Sequence, residues 1–464
     1  MRSFFKSKKF LLVAVALSGL ILGIALRGLF EPSVEANKTP PNHYQKIGIL
    51  LKVLNFVESN YVEEVEIKEL VYGAIKGMLA TLDPHTNFLT PELFKEMKVD
   101  TSGEFGGLGI EITMKDGVLT IITPLEGTPA DKAGLKANDK IIKIEDEYTD
   151  KMNLMEAVSK MRGKKGTPIQ ITILREGLTE PKEFKVVRDI IKVKSVKFEM
   201  LKEDIGYVRV ANFQERTHQD LRSALTQLDR QSKKYQSKTD QPQLGLQGLV
   251  LDLRNNPGGL LDQAVKVSDL FLEKGIIVST MGRLKENKDV EYAHKSGTWR
   301  DVPIVVLVNG ASASASEIVG GALQDHQRAL LIGTKTFGKG SVQQVIELDD
   351  QSGLKLTIAK YYTPSGRSIQ ESGLEPDIEV EQRDPKVLKE EAEKLKTQKS
   401  RFREEDLPQH IKNGKKKEEV KKEEFPQSEA VQFDHQLQQA IGYLRSYEIF
   451  KKMYQPKNKQ VSKK

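Results

Sequence analysis

Apolar positions at helical spacing dominate region 44–100 of the chain. One set recurs every three or four residues: Ile47, Leu50, Leu51, Leu54 and Val57. A second set has the same spacing: Leu70, Ala74, Ile75 and Met78. Each pattern predicts an amphipathic helix. The second helix should end before Asp83-Pro84, because the residue that precedes a proline disfavours helical backbone. The pair is either part of a core or a dimerisation arm.

From 103 to 190 the pattern changes to the alternation of short strands. Gly106-Gly-Leu-Gly-Ile110 opens an alternating strand, and a turn at Pro129-Ala130 separates it from a buried strand, Lys140–Ile144. A glycine loop beside a strand edge leaves backbone N–H groups free to bind a peptide's terminal carboxylate, and the edge can pair with the peptide as an added strand. The candidate peptide-binding residues are Gly107, Leu108, Gly109 and Ile110.

Between 195 and 380 predicted strands alternate with predicted helices, which indicates an α/β domain. The strands are rich in Val, Ile and Leu: Gly206–Val210, Gly248–Leu253, Val302–Val308, Ala329–Gly333, Val342–Leu348 and Lys355–Tyr362. The helices between them are Leu221–Leu228, Leu261–Leu272 and Glu317–Gln324.

Region 384–464 is a charged tail that carries one apolar stripe. Lys and Glu dominate it up to Phe433, which is typical of a solvated segment. A terminal helix, Asp434–Met453, is predicted from five apolar residues on one face: Leu437, Ala440, Ile441, Leu444 and Tyr447. This face should pack on the chain's own core or on a second subunit. Together with the first helices it favours a homo-oligomer.

An uncharged run from Phe10 to Leu26 follows four basic residues at the N-terminus. Its length is near the lower limit for spanning a bilayer, so region 1–30 is predicted to be a signal peptide or a signal-anchor. No small-residue cleavage site directly follows Leu26, which favours a retained anchor. The basic residues should stay in the cytoplasm. The rest of the chain would then lie on the periplasmic side of the inner membrane, or be periplasmic or secreted if the segment is cleaved.

Composition excludes several kinds of chemistry. The chain has no cysteine, which excludes disulfides, thiolate zinc sites and a cysteine nucleophile. Its seven histidines are scattered singly, so no metal site is expected. The formal net charge is +7, but basic and acidic residues are interleaved in runs such as Lys415–Glu424. Because such a run is usually a solvated face rather than a phosphate-binding stripe, we expect no nucleic-acid partner.

Three serines lie where a predicted strand ends and a predicted helix begins, in Asn309-Gly-Ala-Ser-Ala-Ser-Ala-Ser-Glu317. Small side chains there let a substrate backbone approach closely, and N–H groups at a helix start are suited to a developing oxyanion. The candidate nucleophiles are Ser312, Ser314 and Ser316, although Ser316 also has the place of an ordinary N-cap.

A serine nucleophile needs a base, and the candidate here is a lysine. Lys339 lies between glycines in Thr336-Phe-Gly-Lys-Gly-Ser341, where a buried loop would exclude water. Burial lowers the pKa of a lysine, and only neutral lysine can accept the serine proton. The segment Gly333–Lys339 also approaches a P-loop, but Gly340 stands where magnesium needs a hydroxyl, which argues against a nucleotide site.

Four blocks in this order resemble the C-terminal processing (tail-specific) serine protease family, which has a Ser-Lys dyad and an inserted PDZ domain. They are Asp83-Pro-His-Thr-Asn-Phe-Leu-Thr90, Asp252-Leu-Arg-Asn-Asn-Pro-Gly-Gly259, Ser312-Ala-Ser-Ala-Ser-Glu317 and Thr336-Phe-Gly-Lys-Gly-Ser-Val-Gln343. Pro129–Ile141, with the glycine loop before it, resembles a PDZ domain. The resemblance spans 44–380. It implies a fold of the α/β (α+β) class: a ClpP/crotonase-like protease core with an inserted PDZ domain, an N-terminal helical arm and a C-terminal helix.

The resemblance also implies roles for particular residues. In the core they are Ser314 as nucleophile, Lys339 as general base, Gln343 as its support, and the N–H groups of Gly258 and Ala315 as the oxyanion hole, with Gly259 an alternative to Gly258. Arg162, after the predicted PDZ helix, matches an arginine that in relatives links peptide binding to assembly of the active site. An ordinary turn arginine is the alternative.

The expected function is that of a serine endopeptidase which binds substrate tails through its PDZ domain and needs no metal or cofactor. Its partners would be proteins or peptides with exposed C-termini, and an activator or adaptor protein. A non-enzymatic PDZ adaptor would lack Ser314 or Lys339, whereas both are present. A crotonase-like enzyme acting on acyl-CoA would lack the PDZ insert and usually the signal segment.

Overall fold

The computed structural model describes residues 42–454, except 203, 239–243, 285, 287, 398–407, 410 and 412–428. The chain divides into two compact units, one up to Met78 and one from Leu79 onward. The predicted signal segment, 1–30, lies outside the described residues. Among the helices that the structure describes, none has the length and apolar content to cross a membrane.

The described part of the first unit contains the two helices predicted from apolar spacing. They are α1 (Asn42–Asn60) and α2 (Ile67–Leu79), the latter ending at the boundary with the second unit. The predicted apolar residues Ile47, Leu50 and Leu51 of α1 are more than half exposed. The helix is therefore confirmed, and within the described part of the chain much of its apolar face is exposed.

A small β domain begins after strand β1 (Asn87–Leu89) and helix α3 (Pro91–Ser102). Its strands are β2 (Glu104–Gly107), β3 (Ile110–Lys115), β4 (Val118–Pro124), β5 (Lys140–Ile144), β6 (Glu147–Tyr148), β7 (Pro168–Leu174), β8 (Lys182–Val187) and β9 (Asp189–Lys192), and its helices are α4 (Pro129–Ala133) and α5 (Leu154–Met161). Strands β3, β4, β5, β7 and β8 form one sheet in that order, with β6 on β5. This sheet and the helices enclose a separate hydrophobic core, and β2 pairs with β9 as a two-stranded ribbon at the start and end of the domain.

The core domain contains the remaining elements. Its strands are β10 (Val196–Met200), β11 (Ile205–Val210), β12 (Gly248–Asp252), β13 (Ile276–Gly282), β14 (Lys288–Tyr292), β15 (Ile304–Val308), β16 (Ala329–Gly333), β17 (Ser341–Glu347), β18 (Gly353–Tyr362) and β19 (Ile378–Glu379). Its helices are α6 (Thr217–Lys238), α7 (Leu261–Asp269), α8 (Ala315–Asp325), α9 (Pro385–Thr397), α10 (Glu429–Gln432) and α11 (His435–Tyr454).

The main sheet has the order β10-β11-β12-β15-β16-β19 and is parallel from β11 onward. Every residue of β12 and β15 is buried, as expected for parallel strands that are covered on both faces. Leu249 and Leu251 pack with helices α6, α7 and α8 in one core cluster, whereas Val250 belongs to the cluster on the opposite face. Because side chains alternate along a strand, β12 contributes residues to two hydrophobic cores, one on each face of the sheet.

A second, antiparallel sheet has the order β1-β18-β13-β14, with β17 also paired to β18. It brings the block that starts at Asp83 against strand β18. The backbone N–H of Thr357 donates to Oγ1 of Thr86 at 3.1 Å, and Oγ1 of Thr357 donates to Oδ1 of Asp83 at 3.2 Å. The loop Asp83–Thr86 is thereby held beside the strands that follow Lys339.

Helix α11 covers the second face of the main sheet. Four of its predicted apolar residues are buried there: Leu437, Ala440, Ile441 and Leu444. The docking surface is thus the chain's own core, which was one of the two alternatives. The prediction was wrong for Tyr447, which is 51% exposed. The preceding segment, expected to be a solvated tail, also contains helix α9.

A buried ion network ties α11 to the end of β12. The guanidinium of Arg254 donates to Asp252 at 2.7 Å and to both carboxylate oxygens of Asp434 at 2.9 and 2.6 Å. Burial opposes the charge of Arg254, yet these two carboxylates raise its pKa further above the ordinary value. Since Arg254 is four residues before Gly258, the network also fixes the start of the Gly258-Gly259 loop.

Candidate active site

Ser314 occupies the turn between strand β15 and helix α8. Its backbone has φ +55° and ψ −113°, a conformation that residues other than glycine rarely adopt. Strain of this kind persists only where the surrounding structure holds it, and it is concentrated at functional sites. The turn presents Ser314 to a cleft of about 740 Å³.

The hydroxyls of the other two candidate serines are hydrogen-bonded to backbone carbonyls. The hydroxyl of Ser312 donates to the carbonyl of Leu253 at 2.7 Å, and that of Ser316 donates to the carbonyl of Asn256 at 3.0 Å. Both side chains are buried. The interpretation of Ser316 as an N-cap was wrong, because α8 begins at Ala315 and Ser314 has the N-cap position.

The carboxylate of Glu317 joins the Ser314 turn to the Lys339 loop. Its Oε2 accepts from the N–H groups of Ser314 (2.8 Å) and Lys339 (2.9 Å). Its Oε1 accepts from the hydroxyl of Thr336 (2.6 Å) and the N–H of Gly338 (2.7 Å). Glu317 is fully buried, and burial raises its pKa although all four hydrogen bonds favour the ionised form.

Lys339 lies in the loop before β17 and projects into the same cleft as Ser314. Burial lowers the pKa of its amine, and the positive charge of Lys355 lowers it further, against the opposing influence of Asp83 and Glu317. The hydroxyl of Tyr361 donates to the Lys339 carbonyl and lies beside the Ser314 side chain. Ser314 and Lys339 share the cleft, and among the described residues no hydrogen bond is found between the Ser314 hydroxyl and the Lys339 amine. Catalytic contacts are often loose before substrate binds.

Gln343 also lines the cleft, but it does not share a strand with Lys339. Lys339 precedes the strand, and the register with β18 shifts between Val342 and Gln343. The Gln343 amide donates to the hydroxyls of Ser341 (2.9 Å) and Thr357 (3.3 Å). Its support of Lys339 remains a prediction.

The predicted oxyanion-hole residues lie against Ser314. A Cβ placed on Gly258 would come within 2.8 Å of the Ser314 Cβ and 3.1 Å of the Ala315 nitrogen, so only glycine fits there. The N–H of Gly258 donates to Oδ1 of Asn256 at 2.9 Å. Among the described residues, the N–H groups of Gly259 and Ala315 have no acceptor.

The predicted peptide-binding loop, Gly107 to Ile110, runs from β2 into β3 in the small β domain and does not line this cleft. The carbonyls of Leu108 and Gly109 accept from the N–H groups of Ala130 (2.9 Å) and Leu125 (2.8 Å). No acceptor for the N–H groups of Leu108 and Gly109 lies within the described chain. These two donors are therefore available to a peptide carboxylate.

Arg162 follows α5 and reaches the cleft from the small β domain. Its guanidinium lies over the ring of Phe105, 4.9 Å from the centroid, and both residues line the cleft with Ser314. The N–H of the next residue, Gly163, donates to the carbonyl of Gly106 at 3.0 Å, which connects this turn to the peptide-binding loop. Arg162 thus stands between the two predicted sites.

Sequence reasoning assigned no role to Glu317 or to Asp83, although both lie in quoted motif blocks. The spacing of Glu317, three residues after Ser314, is that of a capping box and would have identified it. No local signal pointed to Asp83, because its contact with Thr357 spans 274 residues.

Known proteins match the chain over most of its length. A profile of peptidase family S41 matches residues 204–380, a profile of the PDZ domain matches 106–187, and a profile described as the activating protease CtpB N-terminal domain matches 31–92. A carboxy-terminal-processing protease of Bartonella bacilliformis is 50% identical over 349 residues, 75% of this chain and 78% of that protein. The carboxy-terminal processing protease CtpA of Bacillus subtilis is 37% identical over 372 residues, 80% of this chain and 76% of that protein. A solved photosystem II D1 C-terminal processing protease is 30% identical, covering 73% of this chain and 93% of its own, with a TM-score of 0.41.

The fold and the matches define a serine peptidase with a PDZ domain. Given 50% identity over more than three quarters of a curated relative, the chain belongs to peptidase family S41, the carboxy-terminal processing proteases. The predicted family, the mixed α/β fold class with its PDZ domain, and the serine peptidase activity are confirmed. Its substrates are peptides with C-termini.

Proposed function

We propose that Ser314 is the nucleophile and Lys339 the general base of this peptidase. The observation that carries the proposal is the shared cleft, in which a strained serine at a helix start faces a lysine whose pKa is lowered by burial. Neutral Lys339 accepts the Ser314 proton as the oxygen attacks the peptide carbonyl. The protonated amine then donates to the leaving nitrogen, which leaves an acyl-enzyme for water to hydrolyse.

The oxyanion of the tetrahedral intermediate would be bound by the N–H of Ala315 and by the Gly258-Gly259 segment. Among the residues that the structure describes, none accepts from the N–H of Gly259, whereas the N–H of Gly258 would first have to release Oδ1 of Asn256. Gln343 would orient the Lys339 amine after giving up one of its two hydroxyl partners.

The PDZ domain would hold the substrate tail while the cleft receives an upstream bond. The free N–H groups of Leu108 and Gly109 would bind the terminal carboxylate, and the edge from Ile110 would pair with the peptide. Arg162 would couple peptide binding to the cleft through its contact with Phe105 and through the hydrogen bond of the adjacent Gly163 to Gly106. It is therefore the proposed regulatory residue.

We further propose that the enzyme works on the periplasmic side of the inner membrane, held by region 1–30, as a homo-oligomer and under an activator or adaptor protein. The charge pattern before Phe10 supports the location. The exposed apolar residues of α1 support an oligomer, since a contiguous apolar face is usually covered by a partner.

Cleavage should depend on the substrate's C-terminal carboxylate. An unstructured polypeptide with an apolar C-terminus should be cut internally, and its C-terminal amide about tenfold more slowly, because a charge-assisted hydrogen bond contributes roughly 1.5–3 kcal/mol. Mass spectrometry of the products measures both the rate and the cleaved bond. N-terminal acetylation of the same polypeptide is the control and should change nothing. Equal rates for acid and amide would contradict tail binding by the PDZ domain.

The pH profile should report the charge of Lys339. Because the neutral amine is the base, kcat/KM should rise with pH through the lowered pKa of Lys339. Lys355→Gln removes a like charge, so that pKa should rise and the ascending limb should move to higher pH. Lys360→Gln, an exposed change on the same strand, is the matched control and should leave the limb in place. If the ascending limb does not move in Lys355→Gln, the group whose titration limits kcat/KM is not Lys339.

A further inference from the structure

The phenol of Tyr361 lies between the two proposed catalytic residues. Its hydroxyl donates to the backbone carbonyl of Lys339, and its oxygen lies within hydrogen-bonding reach of the Ser314 side chain. The tyrosine is 1% exposed and belongs to the core cluster that includes Ala315 at the start of α8. Its backbone N–H donates to the carbonyl of Gly340 at 2.9 Å. Backbone and ring are both fixed, so the phenol oxygen has a defined place beside Ser314.

The single proton of the phenol decides which part the hydroxyl takes in each contact. A phenol has one proton to donate and lone pairs with which it can accept. Burial and the nearby charge of Glu317 raise the pKa of Tyr361, so the phenol keeps its proton near neutral pH. Since that proton goes to the Lys339 carbonyl, the phenol oxygen faces Ser314 only as an acceptor. The Ser314 hydroxyl is then the donor in this contact.

The Ser314 hydroxyl also has one proton, and two acceptors compete for it. They are the phenol oxygen of Tyr361 and the neutral amine of Lys339, which line the same cleft as Ser314. The phenol is within reach of the serine, whereas among the described residues no hydrogen bond is found between the serine and the amine. Proton transfer needs a hydrogen bond from the donor to the base, and a neutral phenol is far too weak a base to replace the lysine. A serine bonded to the phenol is therefore not ready to react.

We propose that Tyr361 holds the nucleophile in a resting position, in which the Ser314 hydroxyl donates to the phenol rather than to Lys339. This inference rests on the proposed roles of Ser314 and Lys339. Each attack must first break the resting hydrogen bond, and the Ser314 hydroxyl then turns to the lysine amine. Tyr361 is thus a positioning residue that lowers the reactivity of the free enzyme, and its removal raises that reactivity.

Covalent labelling of Ser314 measures the reactivity of the free enzyme. Phenylmethanesulfonyl fluoride is small and needs no tail bound to the PDZ domain; Oγ bonds to its sulfur, fluoride leaves, and the serine proton passes to Lys339. Tyr361→Phe keeps the ring but removes the oxygen, so the second-order rate of labelling should rise about fivefold, the effect of one neutral hydrogen bond. Tyr362→Phe, the next residue of β18 and on the opposite side of the strand, is the matched control and should react at the wild-type rate. Mass spectrometry gives both the rate and the labelled residue.

The direction of the change separates this role from a structural one. If Tyr361 only supported the Lys339 loop, Tyr361→Phe would react more slowly. The labelling rate should rise with pH through the lowered pKa of Lys339 in both proteins, and the ascending limb should not move, because the phenol is neutral throughout. An equal or slower rate in a folded Tyr361→Phe, as judged by Tm, overturns the inference.

A crystal structure of the free wild type decides the question if Tyr361→Phe does not fold. Oγ of Ser314 should lie within about 3 Å of the Tyr361 hydroxyl oxygen. An Oγ that is turned to the Lys339 amine overturns the inference while leaving the proposed function intact. A wild type that the sulfonyl fluoride does not label at Ser314 overturns the proposed function, and the inference with it.

Discussion

Ser314→Ala should lower kcat/KM by about ten-thousand-fold or more, with the fold intact. The change removes the nucleophile but touches no hydrogen bond of the backbone, since the Ser314 N–H still reaches Glu317. Lys339→Ala should lose a similar factor, and the double variant should be no worse than either single one, because a nucleophile and its base act as a unit. Rates on an unstructured protein substrate, with circular dichroism as the check on folding, measure this.

Three variants serve as controls for that result. Lys339→Arg keeps the positive charge and most of the length but cannot become neutral, so it should be as inactive as Lys339→Ala. Ser312→Ala and Ser316→Ala each lose one buried hydrogen bond and about 1 kcal/mol of stability, but less than tenfold in rate. Full activity in Ser314→Ala would place the nucleophile elsewhere and reject the Ser314–Lys339 pair.

Glu317→Gln should both destabilise the protein and slow the reaction. Four donors converge on the two Glu317 oxygens, whereas the glutamine NH2 can satisfy none of the donors on its side. We expect a loss of about 3 kcal/mol in the free energy of unfolding, from unpaired buried donors. We also expect about a hundredfold in kcat, because the Ser314 turn and the Lys339 loop lose their common support and misplacement by about 1 Å costs this much. Urea unfolding and steady-state kinetics measure the two effects.

The matched control is an exposed carboxylate whose partner, Lys335, lies in the Lys339 loop. Glu375 pairs with Lys335 at 2.6 Å, and both side chains are more than half exposed. Glu375→Gln should change stability by less than about 1 kcal/mol, since exposed ion pairs contribute little, and should leave kcat unchanged. If Glu317→Gln behaves like this control, the carboxylate does not position the two loops.

The predictable part of the fold is the part coded by short-range patterns. The buried strands of the main sheet are continuous apolar runs, and small residues mark the turn between β15 and α8. The antiparallel pair β13 and β14 was not predicted, because its burial is partial and its partners are distant in sequence. The bulge at Gln343 was not predicted either, because it depends on pairing with β18 rather than on local residue types.

The candidate site shows the same division. Ser314 and Lys339 stand in motif blocks, so their meeting in one cleft could be expected. The hydrogen bond from the Gly258 N–H to the side chain of Asn256, which distinguishes Gly258 from Gly259, could not be expected from the sequence.

The docking of helix α11 sets an order of events during synthesis. Strand β12 emerges from the ribosome well before its cover, because Arg254 and Asp434 are 180 residues apart. At translation rates of about 5–20 residues per second, one face of the main sheet stays open for roughly ten seconds or longer. The PDZ domain, whose core is complete by Val186, has emerged before β12 (Gly248–Asp252) does and has this interval as well in which to fold. The peptidase core closes last, so a chain still being made has a finished substrate-binding module before it has a finished catalytic site.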